Sequence, residues 1–159
     1  MGAVFFYHLT RSPLEVTLPM LLVKSRQAGW RACVRATSCD RLKWLDEKLW
    51  LVSTDAFIPH GVAGGEFDQD QPILLTTSDK ILNDAACLMA VDGASVSPDE
   101  VQALKRICVI FDGNDPAALG VARAQWKTLT NAGCAAQYWS QADGNWSKKS
   151  EVGAKDGSG

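Results

Sequence analysis

Few residues in this chain of 159 have the types and spacing that chemistry requires. There are two histidines, His8 and His60. His8 lies in an apolar run, where a core or edge role is the ordinary one. His60 stands between Pro59 and Gly61, and a loop histidine can serve as a general base or a metal ligand. No second histidine completes an H-x-x-x-H pattern, so the expected role is a hydrogen bond that shapes the loop. No G-x-S-x-G elbow is present. Neither G-x-G-x-x-G nor G-x-x-x-x-G-K-[ST] occurs. The turn Thr10-Arg11-Ser12-Pro13 has no glycine to bring backbone up to a phosphate. Asp68 and Asp70 are too sparse for a calcium loop. Cys33, Cys39, Cys87, Cys108 and Cys134 form no C-x-x-C pair and are expected to be reduced core thiols. The expectation is therefore no catalytic residue, no cofactor and no metal.

Two other groupings suit binding. Trp50 and Phe57 bring large apolar rings into a stretch, Leu49–Gly65, that Ser53, Thr54, Asp55, Pro59 and three glycines keep from being a long helix or a central strand. Such rings either plug the core or face a partner. The plug is the commoner arrangement, but buried loop backbone is hard to satisfy, which favours the outward one. Further on, Arg123 and Lys127 are four residues apart on one helical face with Trp126 at its border. An ordinary helix would carry these as a solvated stripe. As a site, an aromatic wall beside two cations suits an acidic peptide with an apolar anchor, or a terminal carboxylate.

These groups need a framework. Hydrophobic residues make up 47% and charged residues 21% of the chain, enough to bury one sizeable core. No apolar run is long enough to span a membrane. No basic segment leads into an apolar export signal, so the cytoplasm is the expected address. The formal net charge of -2 argues against a protein that coats nucleic acid. That charge is uneven: residues 1–54 are net basic, 55–100 strongly acidic and 117–149 basic again.

Apolar runs at Ala3–Leu9, Arg31–Ala36, Ile73–Thr77, Cys87–Val91, Ile107–Phe111 and Ala135–Trp139 read as strands, with one more short strand from Trp146. Helix signals fall between them. Ser12-Pro13-Leu14-Glu15 and Ser97-Pro98-Asp99-Glu100 combine a capping box with proline at the first turn. The first helix ends at Gly29, and Pro19 within it calls for a kink or a later start. Asp40 is the expected cap of a helix whose inner face is Leu42, Leu45 and Leu49. Asp115-Pro116 opens the clearest helix, with Leu119, Ala122, Trp126 and Leu129 inward and Gly133 closing it. Gln141–Asn145 reads as a turn. Strands alternating with helices predict a single-domain, three-layer α/β/α fold over residues 1–149. Its sheet is Rossmann-like, mainly parallel or mixed, and lacks a nucleotide-binding loop. Residues 150–159 read as a disordered tail.

The chain resembles the chi subunit of the bacterial DNA polymerase III clamp-loader complex from Val4 to about Trp146. The resemblance rests on Phe6-Tyr7-His8-Leu9, on Leu45-Asp46-Glu47-Lys48-Leu49-Trp50, on Phe57-Ile58-Pro59-His60-Gly61-Val62-Ala63-Gly64, and on Arg123-Ala124-Gln125-Trp126-Lys127 leading into Ala132-Gly133. It implies a non-catalytic α/β accessory subunit of DNA replication. Such a protein bridges the clamp loader, through the psi subunit, to the acidic C-terminal tail of the single-stranded-DNA-binding protein. In some bacteria a helicase competes for the psi surface, and DNA contact is indirect or weak. The resemblance puts the tail site on Arg123, Trp126 and Lys127, and the psi or helicase site on Trp50 and Phe57. Leu119 stands where some relatives carry a basic residue. The tail site is then less basic unless Lys148 and Lys149 supply charge. Two other readings remain at this point: an α/β enzyme with His60 in its active site, and direct single-strand binding through Trp126, Trp139 and Trp146.

Overall fold

Continuous apolar runs of four to seven residues cannot bury both sides as surface helices, but they can as strands in a sheet covered on both faces. The computed structural model describes residues 2–10, 14–52, 60–66, 68–140 and 146–153. Within these residues the order is β1 (Ala3–Leu9), α1 (Leu14–Gln27), β2 (Ala32–Arg35), α2 (Cys39–Val52), β3 (Gly61–Val62), β4 (Ile73–Thr76), β5 (Cys87–Val91), α3 (Pro98–Ala103), β6 (Arg106–Asp112), α4 (Pro116–Asn131), β7 (Ala135–Ser140) and β8 (Ser147–Val152). A 3-10 turn covers Asp68–Asp70. The strands form one sheet in the order β3-β4-β2-β5-β6-β1-β7-β8. Its ladders are parallel except for β7 with β8, which is antiparallel.

Each face of the sheet has its own core. On one, Leu18 and Leu22 of α1 and Leu45 and Leu49 of α2 pack with Val34, Leu75, Met89 and Ile110. On the other, Val101 of α3 and Ala122 and Leu129 of α4 pack with Val4, Phe6, Leu88 and Val109. This is the expected three-layer α/β arrangement, with a mostly parallel mixed sheet.

The differences from the sequence reading are local and have physical causes. Ser38, not Asp40, caps α2: its hydroxyl accepts from the Arg41 N–H at 3.3 Å. Helix α2 then runs on to Val52, so Trp50 lies in its last turn rather than in a loop. Leu45 and Leu49 on its buried face carry the helix past Leu49 into the segment read as loop. Helix α1 starts at Leu14 and continues through Pro19, so the proline does not delay its start. The Pro19 ring is itself buried and adds to the apolar face. The two-residue strand β3 was not expected; it pairs Gly61 with Leu74. Strand β8 extends through Val152, into the segment read as tail. Phe57, the Ser12 cap, the Gln141–Asn145 turn and residues 154–159 lie outside the described residues.

One buried cation ties the layers together. Arg35, at the end of β2, is 2% exposed. Its guanidinium donates to the carbonyls of Ser78 and Ser95, each at 2.8 Å. It also donates to both carboxylate oxygens of Glu100, at 3.0 and 2.8 Å. Glu100 accepts in turn from the Ser97 N–H at 3.1 Å, completing the capping box of α3. Burial alone would raise the Glu100 carboxyl, but its hydrogen bonds to Arg35 and Ser97 outweigh burial and hold it below the ordinary glutamate value. Replacing Glu100 with Ala strands a buried guanidinium, a loss of about 3 kcal/mol. Denaturant unfolding at pH 7 should show it. Because the folded pKa is depressed, the pair's contribution is complete above the unfolded value of about 4.3 and is lost as pH falls through the folded one. The gap between wild type and Glu100→Ala should therefore narrow in acid. An unchanged gap at pH 3 would contradict this assignment.

Candidate functional site

Asp115 starts α4 by accepting from the Ala117 N–H at 3.0 Å, with Pro116 in the first turn. That start, and the burial of Ala122 and Leu129, fix which side of α4 faces outward. Arg123 and Lys127 are exposed. Among the described residues, neither side chain makes an ion pair or hydrogen bond. Trp126 is half-buried between them and the sheet. Its ring meets Phe6 at 5.4 Å between centroids and Tyr138 at 5.9 Å, both edge-on. The Tyr138 hydroxyl shares a 2.7 Å hydrogen bond with His8 Nδ1, and the His8 ring packs on Phe111 at 5.3 Å.

Arg123 acts electrostatically on this cluster. Burial, and then the nearby Arg123 guanidinium, push the His8 pKa down, against a smaller opposing pull from Asp112. Burial raises the Tyr138 phenol, and Arg123 partly offsets it. The arrangement is a cation beside a cluster of aromatic rings that includes an imidazole and a phenol. It can take a carboxylate with an apolar side chain. His8 and Tyr138 were missed in the sequence, although the two-residue period of strands offered a signal. Val4, Phe6 and His8 alternate on β1, and Phe6 is paired with Tyr138 in the parallel ladder. Lys148 does not supplement this site. It lies opposite Trp139 in the β7–β8 register and pairs with Glu151 at 3.1 Å.

The second surface is the end of α2. Trp50 is 53% exposed and Leu51 68%, and Val62 of β3 is exposed as well. Trp50 is therefore no core plug. One side of its ring covers His60, with centroids 4.5 Å apart. His60 is buried, and its Nε2 lies 3.0 Å from Asp46 Oδ1. Asp46 and Trp50 are one turn apart on α2, and the His60 ring, just before β3, packs against both. The structure brings Trp50 and His60 together; Phe57 lies outside the described residues. The three tryptophans read as one surface are split. Trp126 packs on the α4 face, while Trp146 packs against the α1 core and Trp139 lines a cavity beside it.

Open parallel sheets usually hold ligands at the carboxyl ends of their strands. A cleft of about 810 Å³ lies there, lined in part by Thr10, Glu15, Arg41, Asp92, Asp112 and Asp115. Among the described lining residues the one cation, Arg41, is already paired with Asp92, which leaves their charge predominantly acidic.

Aromatic rings and cations, rather than a nucleophile beside a base, are what these surfaces offer. The family model described as DNA polymerase III chi subunit, HolC, matches residues 1–137. The chain belongs to this chi-subunit family. A protein of Rickettsia prowazekii (strain Madrid E), described as probable DNA polymerase III subunit chi, is similar to it. The two are 23% identical over 111 residues, covering 67% of this chain and 67% of the relative. Family membership gives the chain an accessory role in replication, with partners in the polymerase III assembly. No helix among the described residues is long and apolar enough to cross a membrane.

Gly113 abuts this cluster at His8. A Cβ at this position would overlap the His8 ring, and the Gly113 N–H donates to the Leu9 carbonyl at 2.7 Å. Gly113→Ala must displace the imidazole from Tyr138. Overpacking of this kind costs roughly 1–3 kcal/mol. A lowered melting temperature together with an upward-shifted His8 titration by NMR is the expected result; an unaltered His8 resonance would contradict it.

Proposed function

We propose that this chain is a non-catalytic adaptor that bridges the clamp loader to the single-stranded-DNA-binding protein. The edge formed by Arg123, Trp126 and Lys127 would hold that protein's acidic C-terminal tail. Trp50 and Phe57 would hold the psi subunit or a competing helicase. The observation that carries this reading is a pair of exposed cations with no carboxylate partner among the described residues, beside the half-buried Trp126. In support, the α4 surface and the end of α2 lie on opposite faces and toward opposite edges of the sheet. From β4 to β7 is roughly 24 Å at ordinary strand spacing. Two partners can then be engaged at once. The working unit is one domain, and its place is the cytoplasm.

The enzyme reading centred on His60 has less support. The imidazole is buried beneath Trp50 and engaged by Asp46, which leaves it a structural task.

A labelled tail peptide titrated by fluorescence anisotropy tests the first site. Arg123 offers a planar fork for a carboxylate, and loss of a charged hydrogen bond costs roughly 1.5–3 kcal/mol. Arg123→Ala should weaken binding by about tenfold to a hundredfold. Lys127→Ala should weaken it less, and added salt should weaken it in every variant. Equal affinity for wild type and Arg123→Ala would return these residues to a solvated helix face. For the second site, Trp50→Ala should cost on the order of 2 kcal/mol of psi binding while leaving tail-peptide affinity unchanged. Unaltered psi binding by that variant would remove the end of α2 from the bridge.

A further inference from the structure

The face of the sheet opposite α4 holds a cavity that the adaptor reading does not use. Alternation on β1 turns Tyr7 away from α4, toward α1. Trp139 of β7 lines the same side, joined by Trp30 after α1 and Trp146 before β8. Together they wall a cavity of about 380 Å³, within the size range of small-ligand sites. Trp146 stands edge-on to Tyr7 at 5.3 Å between centroids. Trp139 and Trp146 lie beyond residues 1–137, the span matched by the family model.

The charge of this cavity is one-sided. Among the described residues its lining includes Arg106 and Lys24 and no aspartate or glutamate. The Arg106 guanidinium lies over the rings of Phe5, at 4.4 Å, and Trp30, at 5.4 Å. Among the described residues it makes no hydrogen bond or ion pair, so its donors are free for an incoming acceptor. The β8 carboxylate, Glu151, is taken up by Lys148 and Gln137. A ligand matched to this site must carry a planar group for the indoles and an anion for the guanidinium. A cationic ligand is repelled, and a peptide that is acidic but has no apolar or aromatic side chain leaves the rings uncovered.

We propose that this cavity binds a nucleotide unit of single-stranded DNA, with a base against the tryptophans and the neighbouring phosphate on Arg106 and Lys24. Base–aromatic stacking is tolerant of sequence, and a guanidinium grips phosphate through two parallel hydrogen bonds. No glycine-rich loop is needed, because the grip is on one backbone phosphate and not on a polyphosphate chain. With a net charge of -2 and two cations at the site, binding is weak and steeply lowered by salt. The site is independent of the tail-binding edge, which lies across the sheet.

The test uses the full chain and a fluorescein-labelled oligo(dT), read by anisotropy and by quenching of tryptophan emission at two salt concentrations. Wild type should bind saturably with quenching. Arg106→Gln and the exposed Lys24→Gln should each weaken binding several-fold. Each should also lower the salt slope by about 0.7, the value for one single-strand phosphate contact. Arg123→Ala should leave it unchanged. Circular dichroism checks the fold, and Lys24→Gln decides the matter if Arg106→Gln proves unstable. Absence of saturable binding by wild type, or equal binding by Lys24→Gln, would overturn the proposal. So would loss of binding in Arg123→Ala, or an oligoglutamate peptide that binds as tightly as the oligonucleotide with the same variant profile.

Discussion

The register of β1 between β6 and β7 is the constraint on which both faces of this protein depend. Strand side chains alternate, so a slip of one residue would exchange everything each face presents. In the observed register Phe6 lies beside Val109 and Tyr138, and Tyr7 beside Ile110 and Trp139. The first set gives Trp126 its edge-on neighbours and sets His8 against Tyr138. From the second, Tyr7 and Trp139 line the cavity under α1. Burial on both sides fixes the register: Val4 and Phe6 are fully buried among residues of the α4 face, and Leu9 among those of the α1 face. Neither binding surface can be altered at β1 without a consequence for the other.

Much of the framework was legible in the sequence because its signals are local. The ends of β1 and β5 follow directly from apolar runs, and Ser97 and Glu100 form the capping box their spacing announces. What escaped depends on contacts distant in the chain. Ser38 and Asp40 are comparable caps by type, and the choice between them follows from where α2 meets the sheet. Strand β3 has only two residues and exists because β4 offers an edge. The end of α2 was misjudged because polar residues after Val52 were weighed more heavily than the buried Leu45 and Leu49 before it.

The candidate site was legible in part for the same reason. Arg123 and Lys127 share a face by helical spacing alone, which needs no tertiary knowledge. The aromatic cluster beside them does not come from α4 alone. It includes His8, Phe111 and Tyr138, on three strands more than a hundred residues apart at the extremes. A lone histidine in an apolar run carries no such message. Only after strand order is known does its phase on β1 match that of Tyr138. His60 was more legible: with no second histidine its expected role was to shape the loop, and it packs against Asp46 and Trp50 of α2, partners that its Pro and Gly neighbours did not disclose.

The distribution of charge separates the two proposed binding surfaces from the usual ligand site of such a sheet. At the carboxyl ends of the strands, where an open parallel sheet usually takes its ligand, Glu15, Asp92, Asp112 and Asp115 line a cleft of about 810 Å³. Carboxylates in such a hollow reinforce one another's field and exclude anions. Cations without carboxylate partners among the described residues instead occur on the outer flank of α4, at Arg123 and Lys127, and at the start of β6, at Arg106. Each of these two groups adjoins indole rings, so each couples a charge to an apolar surface. Coulomb attraction alone would be largely screened at physiological salt beyond about 8 Å. A neighbouring ring lowers the local dielectric, excludes water, and gives the partner an apolar contact that salt does not weaken. Among the described residues, the end of the sheet where open parallel sheets usually take ligands is thus acidic, while the outer flank of α4 and the opposite face of the sheet carry cations beside aromatic rings.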